Sequence, residues 1–315
     1  MTTATAPAVR RIPPPRPRAG GGQRRAPYLF LAPFLVLFAV FTMAPIVLAV
    51  YSSFFQTKRS GLGFGGEGEV VFAGLDNYVR ALSNDGFVAG FGRMLGYGVV
   101  QVPVMLGLAL VLALLFDTAL VRWKPFFQLS VFMPYAVPSV VAALIWGFLY
   151  QPRVSPIVEG LRSVGWDVSF LSPDVVLWSL ANVAVWSVTG VNMVILFSAL
   201  QSVPREIYEA ARIDGASELR TALSIKIPMI MPSLTLTFLF SIIGTMQLFN
   251  EPMTMRAVTS NISGDYTPNM AIFQATTLGG DVNLGSAMAV VLGLVIFVLS
   301  LVVQGVSRRR NGADR

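Results

Sequence analysis

Six long stretches without a charged residue constrain this chain more than any other feature of its sequence. The shortest holds 23 residues, and a helix of that length covers the ~30 Å hydrocarbon core of a bilayer at ~1.5 Å per residue. Because lipid offers the backbone no hydrogen-bond partners, helices are the only plausible form for these stretches. The sequence therefore predicts an all-α integral membrane protein with six transmembrane helices. The uncharged stretches are Tyr28–Val50, Met94–Phe116, Pro125–Pro152, Val175–Pro204, Ile227–Asn250 and Val282–Ser307.

The composition agrees and excludes several kinds of chemistry. Hydrophobic residues make up 54% of the chain and charged residues 12%, and the sequence contains no cysteine and no histidine. Disulfides, thiolate metal sites, zinc sites of the usual type and Ser-His hydrolase chemistry therefore have no residues to form them. The chain is predicted not to be an enzyme.

The spans divide the chain into five parts. Residues 1–27 are rich in Arg, Pro and Gly and are predicted to form a disordered, basic cytoplasmic tail. The first apolar stretch is longer than the apolar region of a signal peptide, so it is predicted to stay as a transmembrane helix at 28–51. An extracytoplasmic loop at 52–93, a core with five transmembrane helices at 94–307 and a cytoplasmic tail at 308–315 complete the organisation. A short helix is expected at Leu75–Ala81, and loops or a small helix are expected within Tyr266–Gly280. Pro134 and Pro138 mark candidate kinks in the third span.

The distribution of Lys and Arg predicts the orientation of the chain. With both termini inside, the inner segments 1–27, 117–124, 205–226 and 308–315 carry 16 of the 23 basic residues. Positive charge concentrates on the cytoplasmic side of membrane proteins. The net charge of +7 is therefore interpreted as a topology signal rather than as a surface for nucleic acid.

One amphipathic segment, Pro204–Pro232, interrupts the apolar second half of the chain. Ser202 is available as an N-cap and Pro204 lies near a helix start. Asp214 and Gly215 predict a turn, after which Ser217 can cap a second short helix. The segment is therefore predicted to form a helix, a glycine corner and a second helix outside the hydrocarbon.

The same segment carries a specific resemblance. Glu209-Ala210-Ala211, followed by Gly215 and then by Ile225, Ile227 and Pro228, resembles the EAA loop of permease subunits of bacterial binding-protein-dependent ABC importers. The string EAARIDGAS and the stretch Phe72–Tyr78 (FAGLDNY) are similar to the maltose-type sugar permeases. The resemblance implies six transmembrane helices of the MetI-like type, with a cytoplasmic coupling helix between spans 4 and 5. The ATPase-coupling residues that it implies are Glu209, Ala210, Ala211, Asp214, Gly215, Ile225 and Pro228.

The resemblance also implies partners and a location. These are a second permease subunit, two cytoplasmic ATPase subunits, an extracytoplasmic solute-binding protein, a sugar and the bilayer of the bacterial inner membrane. The chain has no G-x-x-x-x-G-K-[ST] string to hold phosphate, so no cofactor is expected in it, and ATP and magnesium would be bound by the partner ATPases. Gly61, Gly63 and Gly66 fit G-x-G-x-x-G but lack a surrounding βαβ pattern, which favours a plain loop.

Polar residues on the fourth and fifth spans form the candidate substrate site. Their spacing of three or four places each set near one helix face. Amides can hydrogen-bond sugar hydroxyls and an aromatic ring can stack on a sugar, and in the maltose-type family these spans line a sugar pocket. Interhelical hydrogen bonding is the alternative role. The predicted substrate-binding residues are Asn182, Trp186, Thr189, Asn192, Gln247, Asn250 and Glu251.

The predicted function is translocation of a di- or oligosaccharide by alternating access. A permease for glycerol phosphate or another small polar solute is an alternative, although the spans offer no basic pocket. An ion-coupled secondary carrier is a second alternative, and it is disfavoured because no ionisable residue lies in the middle of a predicted span. A membrane enzyme and a structural scaffold are further alternatives: the first lacks His and Cys, and the second leaves the EAA spacing unexplained.

Overall fold

The computed structural model of the protein describes residues 21–58, 69–118 and 121–313. Within these ranges five helices are long and apolar enough to cross a membrane, and the number rises to six if one bent helix pair counts as a span. The all-α membrane architecture is therefore confirmed, and the third predicted span differs in shape. The candidate spans are Tyr28–Ser53, Asp85–Asp117, the bent pair Lys124–Ala136 and Ser139–Leu149, Val176–Gln201, Met231–Met255 and Val282–Ser307.

The first helix begins before the apolar stretch that predicted it. α1 is Gly21–Phe38, and a π-helical turn at Ala39–Met43 leads into α2 at Ala44–Ser53. The end of the predicted tail, 21–27, is thus helical, whereas residues 1–20 lie outside the described residues. A helix that has already formed gains one hydrogen bond for each residue added, so it can extend past the apolar residues that anchor it.

A small hairpin that the sequence analysis did not predict follows the first span. β1 at Phe55–Lys58 pairs antiparallel with β2 at Glu69–Phe72. α3 at Asp76–Leu82 then confirms the short helix expected at Leu75–Ala81. The buried Asn77 amide ties α3 to the start of the hairpin, because its Nδ2 donates to the Phe55 carbonyl at 2.7 Å. The three glycines that fit G-x-G-x-x-G lie outside the described residues.

The second spanning helix, α4 at Asp85–Asp117, begins well before the predicted start at Met94. Asn84 is its N-cap, and the Asn84 side chain accepts a hydrogen bond from the Phe87 amide at 2.9 Å. A cap of this kind starts a helix whether or not the following residues are apolar. Arg93, in the early turns of α4, makes a cation–π contact with Tyr266, and its Cζ lies 4.7 Å from the centroid of the tyrosine ring.

The third predicted span is broken. α5 at Lys124–Phe132 continues as a 3₁₀ turn at Met133–Ala136, and α6 at Ser139–Leu149 then runs at 95° to it. Pro138 disfavours the helical conformation of the residue before it, and Val137 adopts the extended ψ of 124°. The expected kink at Pro138 is therefore confirmed as a sharp bend, and a single continuous span at Pro125–Pro152 is wrong.

The core of the molecule lies between α4 and α8, which spans Val176–Gln201. A Cβ added at Gly190 would lie 2.2 Å from the Val131 carbonyl oxygen, so only glycine allows α8 to approach α5 this closely. Before α8, the helix α7 at Pro156–Ser163 is capped by the Ser155 hydroxyl.

The last third of the chain supplies the remaining spans. Three short helices come first: α9 at Arg205–Ile213, α10 at Glu218–Thr221 and α11 at Ile227–Met229. α12 then occupies Met231–Met246 and α13 occupies Asn250–Met255. α14 at Pro268–Phe273 confirms the small helix expected within Tyr266–Gly280 and continues as a π-helical turn at Gln274–Leu278. α15 at Val282–Ala313 carries the helix into the predicted tail at 308–315.

Candidate functional site

The predicted coupling segment folds as a helix, a glycine corner and a short helix. α9 is Arg205–Ile213 and α10 is Glu218–Thr221. The inner face of α9 carries the buried Ala211 and the half-buried Ile207 and Tyr208. Ile207 and Tyr208 meet an apolar cluster at the ends of α4 and α8, which contains Phe116, Leu196, Leu200 and Val203. α9 is therefore anchored to the membrane helices along one face.

The N-terminus of α9 differs from the prediction. Its N-cap position is Pro204, which makes no side-chain capping bond. The Ser202 hydroxyl instead donates to the Ala199 carbonyl at 2.7 Å, at the end of α8. The expected Ser202 cap is therefore wrong, because α8 continues to Gln201 and holds this serine in its own last turn.

Gly215 forms the predicted corner. Its φ is +74°, a left-handed conformation that side chains with a Cβ rarely adopt. The Gly215 amide donates to Arg212 O at 3.1 Å and the Ala216 amide to Ala211 O at 2.9 Å, the two bonds of a Schellman ending. The Ser217 side chain then caps α10 by accepting from the Arg220 amide at 3.3 Å, as predicted.

The outer face of the segment is open to solvent. Glu209, Ala210, Asp214 and Gly215 are all exposed. Beside them, three large apolar side chains that the sequence analysis did not select are also exposed: Ile213 by 87%, Leu219 by 70% and Leu223 by 58%. An apolar surface next to a carboxylate, in a segment between two membrane spans, is typical of a surface that binds another protein.

The other two predicted coupling residues lie in the connection to the fifth span. Ile225 is half-buried in a π-helical turn at Ala222–Lys226, and Pro228 is exposed in α11 at Ile227–Met229. The Ile227 amide donates a hydrogen bond to Ala222 O, and the helix is interrupted at Ile230 before α12 begins. These two residues shape the connection rather than the exposed face of α9.

A buried ion pair lies behind the coupling segment. Lys226 Nζ is 2.6 Å from Asp117 Oδ2, and each side chain is only 7% exposed. The other carboxylate oxygen, Asp117 Oδ1, accepts from Gln201 Nε2 at 2.8 Å. Lys226 Nζ also lies 5.0 Å from the centroid of the Tyr208 ring, which connects the pair to α9.

Tyr208 lies beside the ion pair. Burial raises the pKa of its phenol, and the nearby Asp117 carboxylate raises it further. The Tyr208 hydroxyl is 3.5 Å from the Leu200 carbonyl, to which it donates. A polar cavity of about 360 Å³ opens beside these groups, with Lys124, Arg205 and Glu209 among its lining residues.

Two of the predicted substrate residues are buried. These are Thr189 and Asn192. The Thr189 hydroxyl donates to Val185 O at 2.6 Å, and Asn192 Nδ2 donates to Val188 O at 3.3 Å within the same helix. Asn192 Nδ2 also lies 3.6 Å from Met105 Sδ in α4.

The other residues of the fourth span contact α6 or the loop after it. Asn182 is exposed, and its Nδ2 donates to the Tyr150 hydroxyl at 2.8 Å. The Trp186 ring packs edge-on against the Trp146 ring, with centroids 5.8 Å apart. The Trp146 indole N–H is buried without a hydrogen-bond partner among the described residues.

The residues of the fifth span lie where the helix is interrupted between α12 and α13. Gln247 is exposed, and Asn250 Nδ2 donates to Ser139 Oγ at 3.1 Å, which joins α13 to α6. Glu251 is half-buried and lies close enough to Tyr97 in α4 to interact with it electrostatically. Trp146, Trp186 and Phe249 pack on one apolar cluster, so the aromatic rings and the α12–α13 break belong to the same region.

Neither described cavity is the predicted substrate site. An apolar cavity of about 670 Å³ lies between α4, α12 and α15, with Pro103, Phe238 and Val302 in its lining. None of the seven predicted substrate residues lines this cavity or the polar one beside α9. Five of the predicted substrate residues are exposed or half-buried instead, and Thr189 and Asn192 are buried.

The sequence analysis missed the exposed apolar residues and the buried ion pair for different reasons. Ile213, Leu219 and Leu223 carried a usable signal, because large apolar side chains are unexpected in a charged segment between spans. Asp117 and Lys226 are 109 residues apart, and nothing in the sequence pairs them. Their contact follows only from the packing of α9 across the ends of α4 and α8.

Comparison with known proteins extends the similarity over most of the chain. Residues 105–310 match the family described as "Binding-protein-dependent transport system inner membrane component". The arabinooligosaccharides transport system permease protein AraP of Halalkalibacterium halodurans is 28% identical over 285 residues, covering 89% of this chain and 86% of that protein. The sn-glycerol-3-phosphate transport system permease protein UgpA of Agrobacterium fabrum is 29% identical over 278 residues, covering 87% and 91% respectively.

A solved structure shows the same fold. It is the crystal structure of a bacterial ABC transporter involved in the import of the acidic polysaccharide alginate. One of its chains superimposes with a TM-score of 0.76 at 19% identity, covering 91% of this chain and 96% of that chain. At this level of identity the match establishes the arrangement of the helices.

Proposed function

Because the chain belongs to the family of binding-protein-dependent transport system inner membrane components, we propose that it is the permease subunit of an ATP-driven importer that carries a sugar. Members of this family are components of transport systems, so the chain is not an enzyme. The observation that carries the proposal is the exposed outer face of α9, presented on a helix whose inner face is anchored to the ends of α4 and α8. Such a helix can receive force from a partner and pass it to the spans.

The partner for this face is a cytoplasmic ATPase subunit. Ile213 supplies an apolar anchor at the end of α9, the small side chain of Ala210 permits close approach, and Glu209 offers a carboxylate to a basic group. ATP and magnesium are bound by the ATPase pair and not by this chain. A second permease with its own EAA loop and an extracytoplasmic solute-binding protein complete the importer.

Transport proceeds by alternating access. Closure of the ATPase pair on ATP draws the two coupling helices together, and the spans joined to them re-orient. Solute released by the binding protein on the outer side then passes to the cytoplasm. This scheme places both termini of the chain in the cytoplasm, in agreement with the excess of basic residues on the segments assigned to that side.

The substrate class is a neutral di- or oligosaccharide. AraP is named for arabinooligosaccharides, and the aromatic and amide groups near the α12–α13 break suit sugar faces and hydroxyls. We propose that Asn182, Trp186, Gln247, Asn250 and Glu251 contact the sugar, and that Thr189 and Asn192 support the helix beneath them. UgpA makes glycerol phosphate a second candidate, but a half-buried carboxylate at Glu251 opposes an anionic solute in this region.

Reconstitution of the complete importer in liposomes tests the proposal. Uptake of labelled oligosaccharide is measured with ATP on the ATPase side, with and without the binding protein, and separately under a proton or sodium gradient. The proposal expects uptake only with both ATP and the binding protein. Uptake driven by an ion gradient without ATP would refute it, and selective uptake of glycerol phosphate would replace the substrate class.

A further inference from the structure

Four elements meet at one buried ion pair behind the coupling helix. Asp117 is the last residue of α4, Gln201 is the last residue of α8, and Lys226 ends the π-helical turn that leads to the fifth span. Tyr208 joins from α9 through its ring contact with the Lys226 ammonium. The second, fourth and fifth spans and the coupling helix are therefore tied together at a single place.

The ends of this connection are held by two short contacts, of which the Lys226–Asp117 ion pair is buried and the hydrogen bond from Gln201 is exposed. The Lys226–Asp117 distance is 2.6 Å and the Gln201–Asp117 distance is 2.8 Å. A buried pair of opposite charges resists separation, because each charge would be left without a partner in a poorly solvated place. The contact therefore holds the π-helical turn that contains Lys226 against the ends of α4 and α8, and Tyr208 of α9 packs on the same lysine.

A second ion pair in the same segment provides the contrast. Arg212 and Glu218 approach to 3.0 Å across the glycine corner, but their side chains are 68% and 58% exposed. Water screens such a pair and long side chains rearrange easily around it. It therefore cannot hold two elements in a fixed relation.

We propose that Asp117, Gln201 and Lys226 are positioning residues that fix the coupling helix to three spans, so that movement of α9 is passed to them instead of being lost in local rearrangement. This inference rests on the proposed function. It assigns the transmission of force to these three residues, whereas the exposed outer face of α9 receives the force.

The test measures solute transported per ATP hydrolysed by the purified importer in liposomes, normalised to assembled complex. Lys226→Gln is compared with Arg212→Gln, which removes the exposed ion pair as the matched control. We expect the Lys226 variant to keep ATPase activity but to lose about tenfold in transport per ATP, within the usual range of coupling between distant sites. The Arg212 variant should keep the wild-type ratio. The exchanged pair Asp117→Lys with Lys226→Asp should recover part of the loss.

A milder pair of variants covers the case in which Lys226→Gln does not assemble. Tyr208→Leu removes the ring from the ammonium, whereas Tyr208→Phe keeps the ring and removes only the hydroxyl. We expect about a threefold or greater loss of transport per ATP for Tyr208→Leu, since a desolvated cation–π contact contributes substantially, and little change for Tyr208→Phe.

The outcomes separate this inference from the function on which it depends. Wild-type importer that shows no ATP-driven uptake would overturn the proposed function itself. If the wild-type importer works and the Lys226 and Tyr208 variants have unchanged transport per ATP, only the proposed role of the buried ion pair is overturned. A fall in ATPase activity and transport in equal proportion would also overturn it, because that result indicates a contribution to stability only.

Discussion

Removing one member of the Asp117–Lys226 pair should destabilise the protein far more than removing one member of the Arg212–Glu218 pair. The buried pair is only 7% exposed on each side, whereas the other pair is more than half exposed. Lys226→Met leaves the Asp117 carboxylate buried without its counter-charge, which costs about 3–5 kcal/mol in comparable cases. The remaining hydrogen bond from Gln201 places the expected loss near the lower limit, at about 3 kcal/mol.

The exposed pair sets the scale for comparison. Arg212→Ala should lower the free energy of unfolding by about 1 kcal/mol or less. The double variant Asp117→Asn with Lys226→Met removes both charges, so no uncompensated charge stays buried. Most of the loss should therefore be recovered, because replacing both partners is far less costly than replacing one.

The assay is equilibrium unfolding of the purified chain in mixed micelles, with increasing denaturing detergent and a helix-sensitive signal. Wild type, Lys226→Met, Arg212→Ala and the double variant are measured side by side. Equal losses for the Lys226 and Arg212 variants would refute the reasoning, since they would mean that water screens both pairs alike. A double variant no better than Lys226→Met would show that packing of the lysine stem, rather than its charge, carries the stability.

Three further predictions follow from the backbone and the exposed polar residues. Gly215→Ala and Gly165→Ala both force a Cβ into a left-handed conformation, at φ +74° and +86°, and each should cost about 1–2 kcal/mol of stability. Only Gly215→Ala should also reduce ATP-driven transport. Equal transport by both variants would contradict a role for the Gly215 corner. Gly190→Ala places a Cβ 2.2 Å from a backbone oxygen and should destabilise the protein by about 1–3 kcal/mol. Gly107→Ala meets no atom within 4 Å and should leave the melting temperature unchanged. Similar melting temperatures for the two variants would count against the close approach of α8 to α5. Gln247→Leu should raise the KM for sugar uptake without changing assembly, and unchanged uptake kinetics would remove this residue from the substrate site.

The sequence was a good guide where one local signal determined the structure. Uncharged stretches located the membrane helices, and the pair Asp214-Gly215 with Ser217 located the corner and the start of α10. Pro138 indicated a break in the third span, although the angle of the bend could not be read from it. In each of these cases the decisive interaction joins residues that are close together in the chain.

The sequence was a poor guide where several elements had to come together. The start of α4 at Asp85 depends on an asparagine cap upstream of the apolar stretch, and apolar length alone placed it too late. Thr189 and Asn192 have the residue types of a sugar site, and their spacing along the chain did not reveal that both are buried. The Asp117–Lys226 pair joins residues 109 positions apart and has no signature in the sequence.

The most direct test of the account asks what the outer face of α9 touches. The chain contains no cysteine, so a single cysteine at the exposed Ala210 can be cross-linked in the assembled importer without background from other sites in this chain. The account predicts a cross-link to the ATPase subunit whose yield changes when ATP is added, and no labelling of this cysteine by a membrane-impermeant reagent applied outside intact cells. Labelling from outside, or the absence of any cross-link to the ATPase in an importer that transports solute, would contradict it.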